Sequence, residues 1–376
     1  MPITLNGDTG IQTPMYNGTI TANAVTPSVN MKSRIINGAM VIDQRNAGAS
    51  VSTSSGSSVY TLDRFRVDYS QTSKMTVQQN AGSVTTPAGF KNYLGITSSS
   101  AYSVISSDYF VLQQAIEGFN TADLDFGTAN AKTVTLSFWV RSSLTGTFGG
   151  NVRNSDNSRC YPFSYTISSA NTWEQKSITI AGDTSGTWLT TNGVGMFVTW
   201  GLGVGSTLSG TAGSWGSTLY LSATGATSVV GTNGATFYIT GVQLEVGSTA
   251  TSFDYRPFTT ELQLAQRYYQ QIGGNSFGGN PLYPIIGNGF AFSTTQADIF
   301  VPLKVTMRTT PTITYSTTAI QIVATGYAVT SVGDVGSTFN TVFLRISTAG
   351  TFTAGQGGLW SGNNSTASYA AFSAEL

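Results

Sequence analysis

Strict alternation of apolar and polar residues constrains the fold of this chain more than any other feature of its sequence. In the stretch 133–141, every second position is apolar: Val134, Leu136, Phe138 and Val140. A period of two is that of a pleated strand with one buried face. The stretch 194–203 has the same period, but glycines occupy much of its second face. Those glycines suggest a close approach of another backbone or a bend in the strand.

Short strand-like runs recur along the chain, separated by breaks rich in Gly, Ser, Asn and Asp. The further runs up to residue 250 are 75–79, 109–116, 173–180, 218–222 and 237–246. The later runs are 300–306, 312–315, 319–323, 341–346 and 368–375. Many short strands joined by such turns predict an all-β protein built as a sandwich or a barrel.

Only the stretch 260–272 predicts a helix. Its residues near one helical face are Leu262, Ala265, Tyr269 and Ile272. Thr260 and Gln263 form a capping box at its start, and two glycines follow its end. Because strand-rich regions lie on both sides, the helix marks a domain boundary. The predicted organisation is an N-terminal attachment arm at 1–30, a large β-domain at 31–258, a helical linker at 259–273 and a smaller β-domain at 274–376.

The composition is poor in groups that transfer protons. There is no histidine, and Cys160 is the sole cysteine, which removes histidine-based nucleophile systems and cysteine-rich metal sites. Only 9% of the residues are charged, against about 25% in ordinary soluble domains. Seventeen acids balance seventeen bases, so no net field attracts nucleic acid. We therefore expect a non-enzymatic protein without a cofactor, a metal or a nucleic-acid partner.

The remaining route to catalysis is a carboxylate pair, as in glycoside hydrolysis. Asp123 and Asp125 are the close pair in the sequence, and their position beside turns favours a loop or an ion site instead. Calcium held by loop oxygens would suit a β-sandwich, but no EF-hand-like spacing supports it. The sequence also has no glycine motif of a phosphate-binding loop and no leader or long apolar run, so we expect neither standard export nor membrane insertion.

Tryptophans and tyrosines are the candidate ligand contacts. Aromatic rings stack on the apolar faces of sugars, while neighbouring amides and hydroxyls bond the sugar hydroxyls. Trp188 and Trp215 are flanked by Gly, Ser and Thr, so we expect them in loops. Trp360, Tyr283 and Tyr369 are the analogous candidates in the smaller domain. For each of the five, packing in an oligomer interface is an equal alternative.

Four segments carry a resemblance to known proteins: MPITLNGDTGI at 1–11, RIINGAMVIDQRNAG at 34–48, YTLDRF at 60–65, and GVQLEVGSTATSFDYRPFTTELQLAQRYYQ at 241–270. Together they resemble tail-fibre and related virion proteins of bacteriophages, including marine and cyanobacterial phages. The stretch 301–316 and the final AAFSAEL are similar to a recurrent C-terminal β-domain of phage fibres.

The resemblance implies a jelly-roll β-sandwich similar to carbohydrate-binding modules, followed by a short helix and a smaller, β-sandwich-like domain. The first and last strands of the jelly roll, near 34–43 and 237–246, would then lie close together. A homotrimer is also implied, with the helix packed near its threefold axis. Leu262, Tyr268 and Tyr269 are the candidates for the subunit interface.

Three functions fit this sequence. The favoured one is a tail-fibre component that docks onto other phage proteins through residues 1–30 and presents its β-domains to host surface polysaccharide. The second is a head-decorating or head-fibre protein of the capsid, and the third is a glycan-degrading tailspike enzyme. In each case the protein would belong to the virion surface and be assembled in the host cytoplasm.

Overall fold

The computed structural model describes residues 5–6, 10–11, 31–274, 284–316, 318–322, 325–362 and 368–376. Residues 1–31 and 32–376 form two compact units. In the first unit, strand β1 (Leu5–Asn6) pairs antiparallel with β2 (Gly10–Ile11). The second unit contains the remaining strands and the helices.

Most strands between residues 51 and 246 belong to two sheets. The strands are β3 (Val51–Ser52), β4 (Ser58–Tyr60), β5 (Arg66–Tyr69), β6 (Met75–Gln79), β7 (Leu94–Ser98), β8 (Tyr109–Glu117), β9 (Val134–Ser142), β10 (Gly146–Arg153), β11 (Cys160–Ile167), β12 (Glu174–Ile180), β13 (Val194–Val204), β14 (Ser209–Gly210), β15 (Ser222–Ala223) and β16 (Thr236–Val246). Short 3₁₀ helices occur at Ala81–Ser83, Gly118–Asn120, Ala122–Leu124 and Ser206–Leu208. One sheet has the order β12-β9-β16-β7-β6-β3 and the other β11-β10-β13-β8-β5-β4, while β14 and β15 form a separate parallel pair.

The two six-stranded sheets enclose one apolar core. Phe138 of β9 and Trp200 of β13 come from opposite sheets, and their ring centroids lie 5.7 Å apart in an edge-to-face contact. Both side chains are fully buried, as are the alternate apolar residues on either side of them in each strand. The predicted jelly-roll sandwich and the period-two strands at 133–141 and 194–203 are thereby confirmed.

The glycines of β13 lie against different segments, and the loop that contains β15 covers Gly201. A Cβ atom on Gly201 would lie 2.6 Å from the Ser222 hydroxyl, and one on Gly149 of β10 would lie 2.5 Å from the Ala223 backbone nitrogen. The expected close approach is therefore present. The prediction of a strand at 218–222 is wrong, because only Ser222 and Ala223 form a strand in this part of the chain.

The segment 34–43 is not a strand either. It is a series of bends and turns in which Asn37 and Met40 have φ values of 62° and 59°, and such residues interrupt an extended chain. It nevertheless lies beside β16, because Arg34 donates to the Leu244 carbonyl at 2.8 Å and Val242 donates to the Gly38 carbonyl at 2.9 Å. The segment therefore lies next to β16, as predicted, although it is not a strand.

Only the first half of the stretch predicted as a helix is helical, and its second half is a strand. Helix α1 spans Phe258–Gln266 and begins after Pro257, with no side-chain capping bond, and strand β17 follows at Tyr269–Gly273. Residues 269–273 pair antiparallel with the distant β25 (Tyr369–Ser373). Long-range strand pairing thus overrides the local helical pattern.

The smaller domain is a barrel, not the sandwich-like unit that was expected. Its strands are β18 (Ile285–Ala291), β19 (Gln296–Pro302), β20 (Thr312–Ser316), β21 (Thr318–Ile322), β22 (Thr325–Asp334), β23 (Thr341–Thr348) and β24 (Gly357–Gly362). The closed barrel has the order β18-β19-β23-β22-β21-β24, and β17-β25-β20 form a three-stranded sheet beside it. Among the described residues, no helix is long and apolar enough to cross a membrane.

We expect Gly149→Ala to destabilise the sandwich by about 1–3 kcal/mol, because the added methyl group must displace the covering loop. Gly216→Ala is the matched control, since a Cβ atom there meets no atom within 4 Å. Chemical denaturation followed by tryptophan fluorescence would measure both. Equal stabilities of the two variants would contradict the close packing of this loop.

Candidate functional site

Trp188 and Trp215 come together at one end of the sandwich, as the expected loop residues. Their ring centroids lie 5.5 Å apart, and Phe126 makes an edge-to-face contact with Trp188 at 4.9 Å. Each indole nitrogen donates to a backbone carbonyl, that of Ser185 at 3.2 Å and that of Ala181 at 2.7 Å. Both rings are therefore held in place and remain partly exposed.

A cavity of about 120 Å³ opens beside Trp188, and we name it the tryptophan cleft. Its polar lining consists of Thr121, Asp125, Thr128 and Thr190. The Asp125 carboxylate lies 3.7 Å from the Lys132 ammonium, and both side chains are well exposed, so this ion pair is weak. Rings, hydroxyls and a carboxylate suit a sugar, but the volume is well below the roughly 300 Å³ of a typical ligand pocket.

A larger cavity, of about 290 Å³, lies between the segment 33–41, the loop at 89–91 and the start of α1, and we name it the aromatic cavity. Three rings line it: Phe90, Phe253 and Tyr255. The Phe253 and Tyr255 centroids lie 4.8 Å apart, and Phe90 contacts both rings. Tyr255 is 55% exposed, yet its hydroxyl donates to the Gly89 carbonyl at 2.7 Å. The result is an open aromatic ring in a fixed position.

Charged groups border the aromatic cavity. Arg256 is nearly buried, donates to the carbonyls of Ser33 and Ile35, and pairs with Asp254 at 3.7 Å and with Glu261 at 3.4 Å. Lys91 is exposed and forms no ion pair with any described residue. Asp254 and Glu261 also line the cavity, so the two cations face two carboxylates. Such a neutral set of donors and acceptors fits an uncharged, hydroxyl-rich ligand.

A row of polar side chains crosses the outer face of the sheet from β5 to β10. Arg66 pairs with Asp68, Gln113 donates to Asp68 at 2.5 Å, and Arg153 donates to Gln113 at 3.1 Å and to Thr199 at 3.0 Å. Burial lowers the pKa of Arg153 to about 10. Because these groups are mostly bonded to one another and buried, they brace the sheet more than they offer a surface.

The candidates in the smaller domain are placed differently from expectation. Trp360 is fully buried inside the barrel, where its ring contacts Tyr315. The prediction that Trp360 contacts a ligand is therefore wrong. Tyr369 is half-buried in β25 and lines neither cavity. Tyr283 lies outside the described residues.

Two of the three expected interface residues, Tyr268 and Tyr269, are buried inside the chain, which corrects the prediction for them. Tyr268 is completely buried and donates to Glu117 at 2.6 Å, while the Arg64 guanidinium lies 3.6 Å from its ring. Tyr269 is buried beneath the Arg45 guanidinium at the same distance. Leu262 is partly buried in a cluster with Ile36, Ile42, Ala265 and Tyr268. These side chains join α1 and β17 to the sandwich.

Glu375 completes this domain junction, which comprises Arg45, Asp63, Arg64, Glu117, Tyr268, Tyr269 and Glu375. The Glu375 carboxylate pairs with Arg45 at 2.9 Å and with Arg64, and Arg45 also pairs with Asp63 at 2.9 Å. Arg267 forms two bonds to Glu117, at 2.6 and 2.8 Å. Burial raises the pKa of Asp63 to about 7, although the charge of Arg45 opposes this shift.

The other residues considered for catalysis or ion binding, Asp123, Asp125 and Cys160, make contacts within the chain. Asp123 pairs with Arg34 at 2.6 Å and Asp125 with Lys132, so the two carboxylates have separate cationic partners. Burial raises the pKa of the Cys160 thiol, which donates to the Tyr220 carbonyl. No group of three or more metal-ligating side chains is found among the described residues.

The sequence reasoning missed the aromatic cavity. Its rings come from SFDY at 252–255 and from Phe90, which lie in irregular segments without any period. The signal in the sequence is the density of rings and charges in SFDYRPF at 252–258.

No family model matches the sequence, and no curated protein matches it. Among solved structures, the enzymatically active domain of bacteriophage CBA120 tailspike protein 4 is similar over 57% of this chain and 21% of its own, with 11% identity and a TM-score of 0.32. This chain thus spans about a fifth of that tailspike structure.

Two carbohydrate-binding modules are similar as well. A CBM4 module matches over 56% of this chain and 98% of its own, with 14% identity and a TM-score of 0.28. The family 11 module from Clostridium thermocellum, solved with a mixed-linked β-1,3-1,4 tetrasaccharide, matches over 54% and 96%, with 8% identity and a TM-score of 0.27. Similarity at this level carries no argument about a ligand, which must come from the residues of this chain.

The buried Asp63 predicts a pH dependence of stability. The folded-state pKa of about 7 lies above the ordinary value of 3.8, so the folded chain keeps a proton that the unfolded chain releases. The contribution of Asp63 to the free energy of unfolding therefore falls as pH rises from about 4 to about 7. Asp63→Asn abolishes this titration. We expect the variant to be destabilised, relative to the wild type, by about 1–3 kcal/mol more near pH 5 than near pH 8.

Denaturant unfolding at both pH values would measure this difference. Asp156→Asn is the control, because hydrogen bonds from Ser158 lower the pKa of Asp156 and keep it ionised at both. A cost of Asp63→Asn that is the same at both pH values, or larger near pH 8, would refute the raised pKa.

Proposed function

We propose that this protein is a non-catalytic structural component of a bacteriophage particle, with the tail fibre as the favoured location, and that it binds glycan on the host surface. The aromatic cavity carries the binding part of the proposal. It combines the Tyr255 ring, open to solvent and fixed by its hydroxyl bond, with donors and acceptors at its border. An immobile ring of this kind stacks on a sugar without a large loss of side-chain entropy.

The size and polarity of the cavity support the same ligand class. Its volume of about 290 Å³ is near the lower end of ligand pockets, which suits one or two sugar rings. The exposed Lys91 ammonium supplies a donor and the Asp254 carboxylate supplies an acceptor, while Arg256 is held in place by ion pairs to Asp254 and Glu261. A pyranose presents both an apolar face and hydroxyls, and this lining matches both.

The environment of the carboxylates supports a non-catalytic role. Glycoside hydrolysis needs a carboxylic acid with a raised pKa next to the bound sugar. Asp63 has a pKa of about 7, but it is fully buried in the domain junction, and it lines neither cavity. Its position supports a structural role for the proton that it holds.

The proposal that the protein belongs to a phage particle is based on the four sequence segments that resemble virion proteins. The resemblance is to tail-fibre and related virion proteins, which makes the tail fibre the favoured place and a head decoration the alternative. Imaging of virions labelled through this protein would distinguish the two places.

Tyr255→Ala should weaken glycan binding at least about tenfold, because it removes the stacking face. The probe is an array of purified bacterial capsular and O-antigen polysaccharides, followed by calorimetry with the best binder. Phe339→Ala is the control, since Phe339 is 50% exposed but lies in the loop between β22 and β23, outside both cavities. Folding of each variant would be checked by circular dichroism.

Trp188→Ala identifies the alternative site within the same experiment. Weakening by this variant alone would move the site to the tryptophan cleft. A folded wild-type protein that binds no member of the array would count against glycan binding, and release of reducing ends from any of them would make the protein an enzyme.

A further inference from the structure

One side of the barrel exposes an unusual concentration of phenylalanine. We name it the phenylalanine face, and it consists of Phe290, Phe292, Phe300, Phe343 and Leu359. Phe290, Phe292 and Phe300 are 42–49% exposed, and Leu359 is 36% exposed. All five lie on or directly after the four adjacent strands β24, β18, β19 and β23.

Strand register places these residues in two neighbouring rows. In the first row, Leu359, Asn288, Phe300 and Phe343 are successive cross-strand partners. The Phe300 and Phe343 rings stack with their centroids 4.5 Å apart and their planes within 5°. In the second row, Phe290 lies opposite Asp298, which is paired with Arg345.

The barrel does not need these rings for its own core. The alternate residues of the same strands, such as Ile299, Val301 and Leu344, are fully buried and fill the interior together with Trp360. Outward positions of a solvated barrel are normally polar. Large rings at such positions indicate a surface that another molecule covers.

The charges on this side of the barrel are already neutralised. Arg345 binds Asp298 through two hydrogen bonds, of 2.7 and 2.9 Å, and its guanidinium lies 3.5 Å from the Phe292 centroid. The face thus presents rings, one aliphatic side chain and the amide of Asn288. A sugar would find few hydrogen-bond partners here, and a charged partner would find no opposing charge.

The exposed area fits a protein partner. With about 200 Å² for a phenylalanine side chain, the five residues expose roughly 400 Å² of apolar surface. One side of a standard protein interface buries about 800 Å², of which roughly 57% is apolar. The face therefore supplies most of the apolar part of such an interface.

We infer that the phenylalanine face binds the same face of a second copy of this chain. A surface without net charge, on a chain in which seventeen acids balance seventeen bases, does not repel its own copy. An isologous interface across a twofold axis brings the same surface of both copies together, so the inferred assembly is a twofold dimer, which differs from the homotrimer that the resemblance implies. This surface replaces the buried tyrosines of α1 and β17 as the place of self-association.

Sedimentation velocity of the full chain over a wide concentration range tests the inference. We expect the wild type to associate, and Phe300→Lys and the double variant Phe290→Ser/Phe300→Ser to associate at least about tenfold more weakly. Phe339→Ser is the control, because Phe339 is equally exposed but is not part of the face. Circular dichroism, and thermal unfolding at a concentration where the wild type is monomeric, should show that each variant is folded, since the replaced rings lie outside the barrel core.

Two results would overturn the inference: a wild type that stays monomeric at every concentration, or association that persists in both face variants. The outcome is independent of glycan binding. Tyr255→Ala should keep the association of the wild type, and the face variants should keep the intrinsic glycan affinity of each chain.

Discussion

The buried carboxylate of Glu375, held between Arg45 and Arg64, is the interaction on which the arrangement of the second unit depends. Taking such charges out of water is costly, so each of them must find a partner in the folded chain. Arg45 and Arg64 come from the segments before and after β3 and β4, whereas Glu375 follows β25. The sandwich and the strands of the smaller domain therefore complete one ion network.

One wall of the aromatic cavity is formed by a segment that leads directly into the same ion network. The segment 33–41 forms one side of the cavity and continues directly to Arg45. Asn37 of this segment donates to Glu261 of α1, and Arg256 donates to the Ser33 and Ile35 carbonyls. Residues around the junction thus fix the shape of the proposed binding site, which explains how an irregular segment can line a defined recess.

Local patterns predicted the sheets and failed where distant partners decide the structure. The alternation in β9 and β13 is readable because each strand has one face in the core. RYYQQI at 267–272 suits a helix or a strand equally, and its pairing with β25, about one hundred residues later, selects the strand. Likewise, a sequence cannot show that Trp360 points into a closed barrel or that Tyr255 stands beside Phe90, since both depend on the assembled fold. Three of the four segments that suggested a virion protein, at 34–48, 60–65 and 241–270, contribute residues to the junction or to the lining of the cavity, so their chemistry is mainly that of packing.

The path of the chain around the barrel has a further consequence. The chain leaves β17 and returns to β25 on neighbouring strands, with Gly273 opposite Tyr369 and Gly274 bonded to Ser368. Of the described strands between them, only β20 rejoins this small sheet, at its edge. A chain segment whose two ends lie side by side can be replaced by another segment more easily than one that passes through a core. The barrel can accordingly diversify while the sandwich and its ion network stay unchanged, provided that each replacement supplies an edge strand in place of β20 and keeps the bonds that Arg308 donates to the Asn192, Ala374 and Glu375 carbonyls.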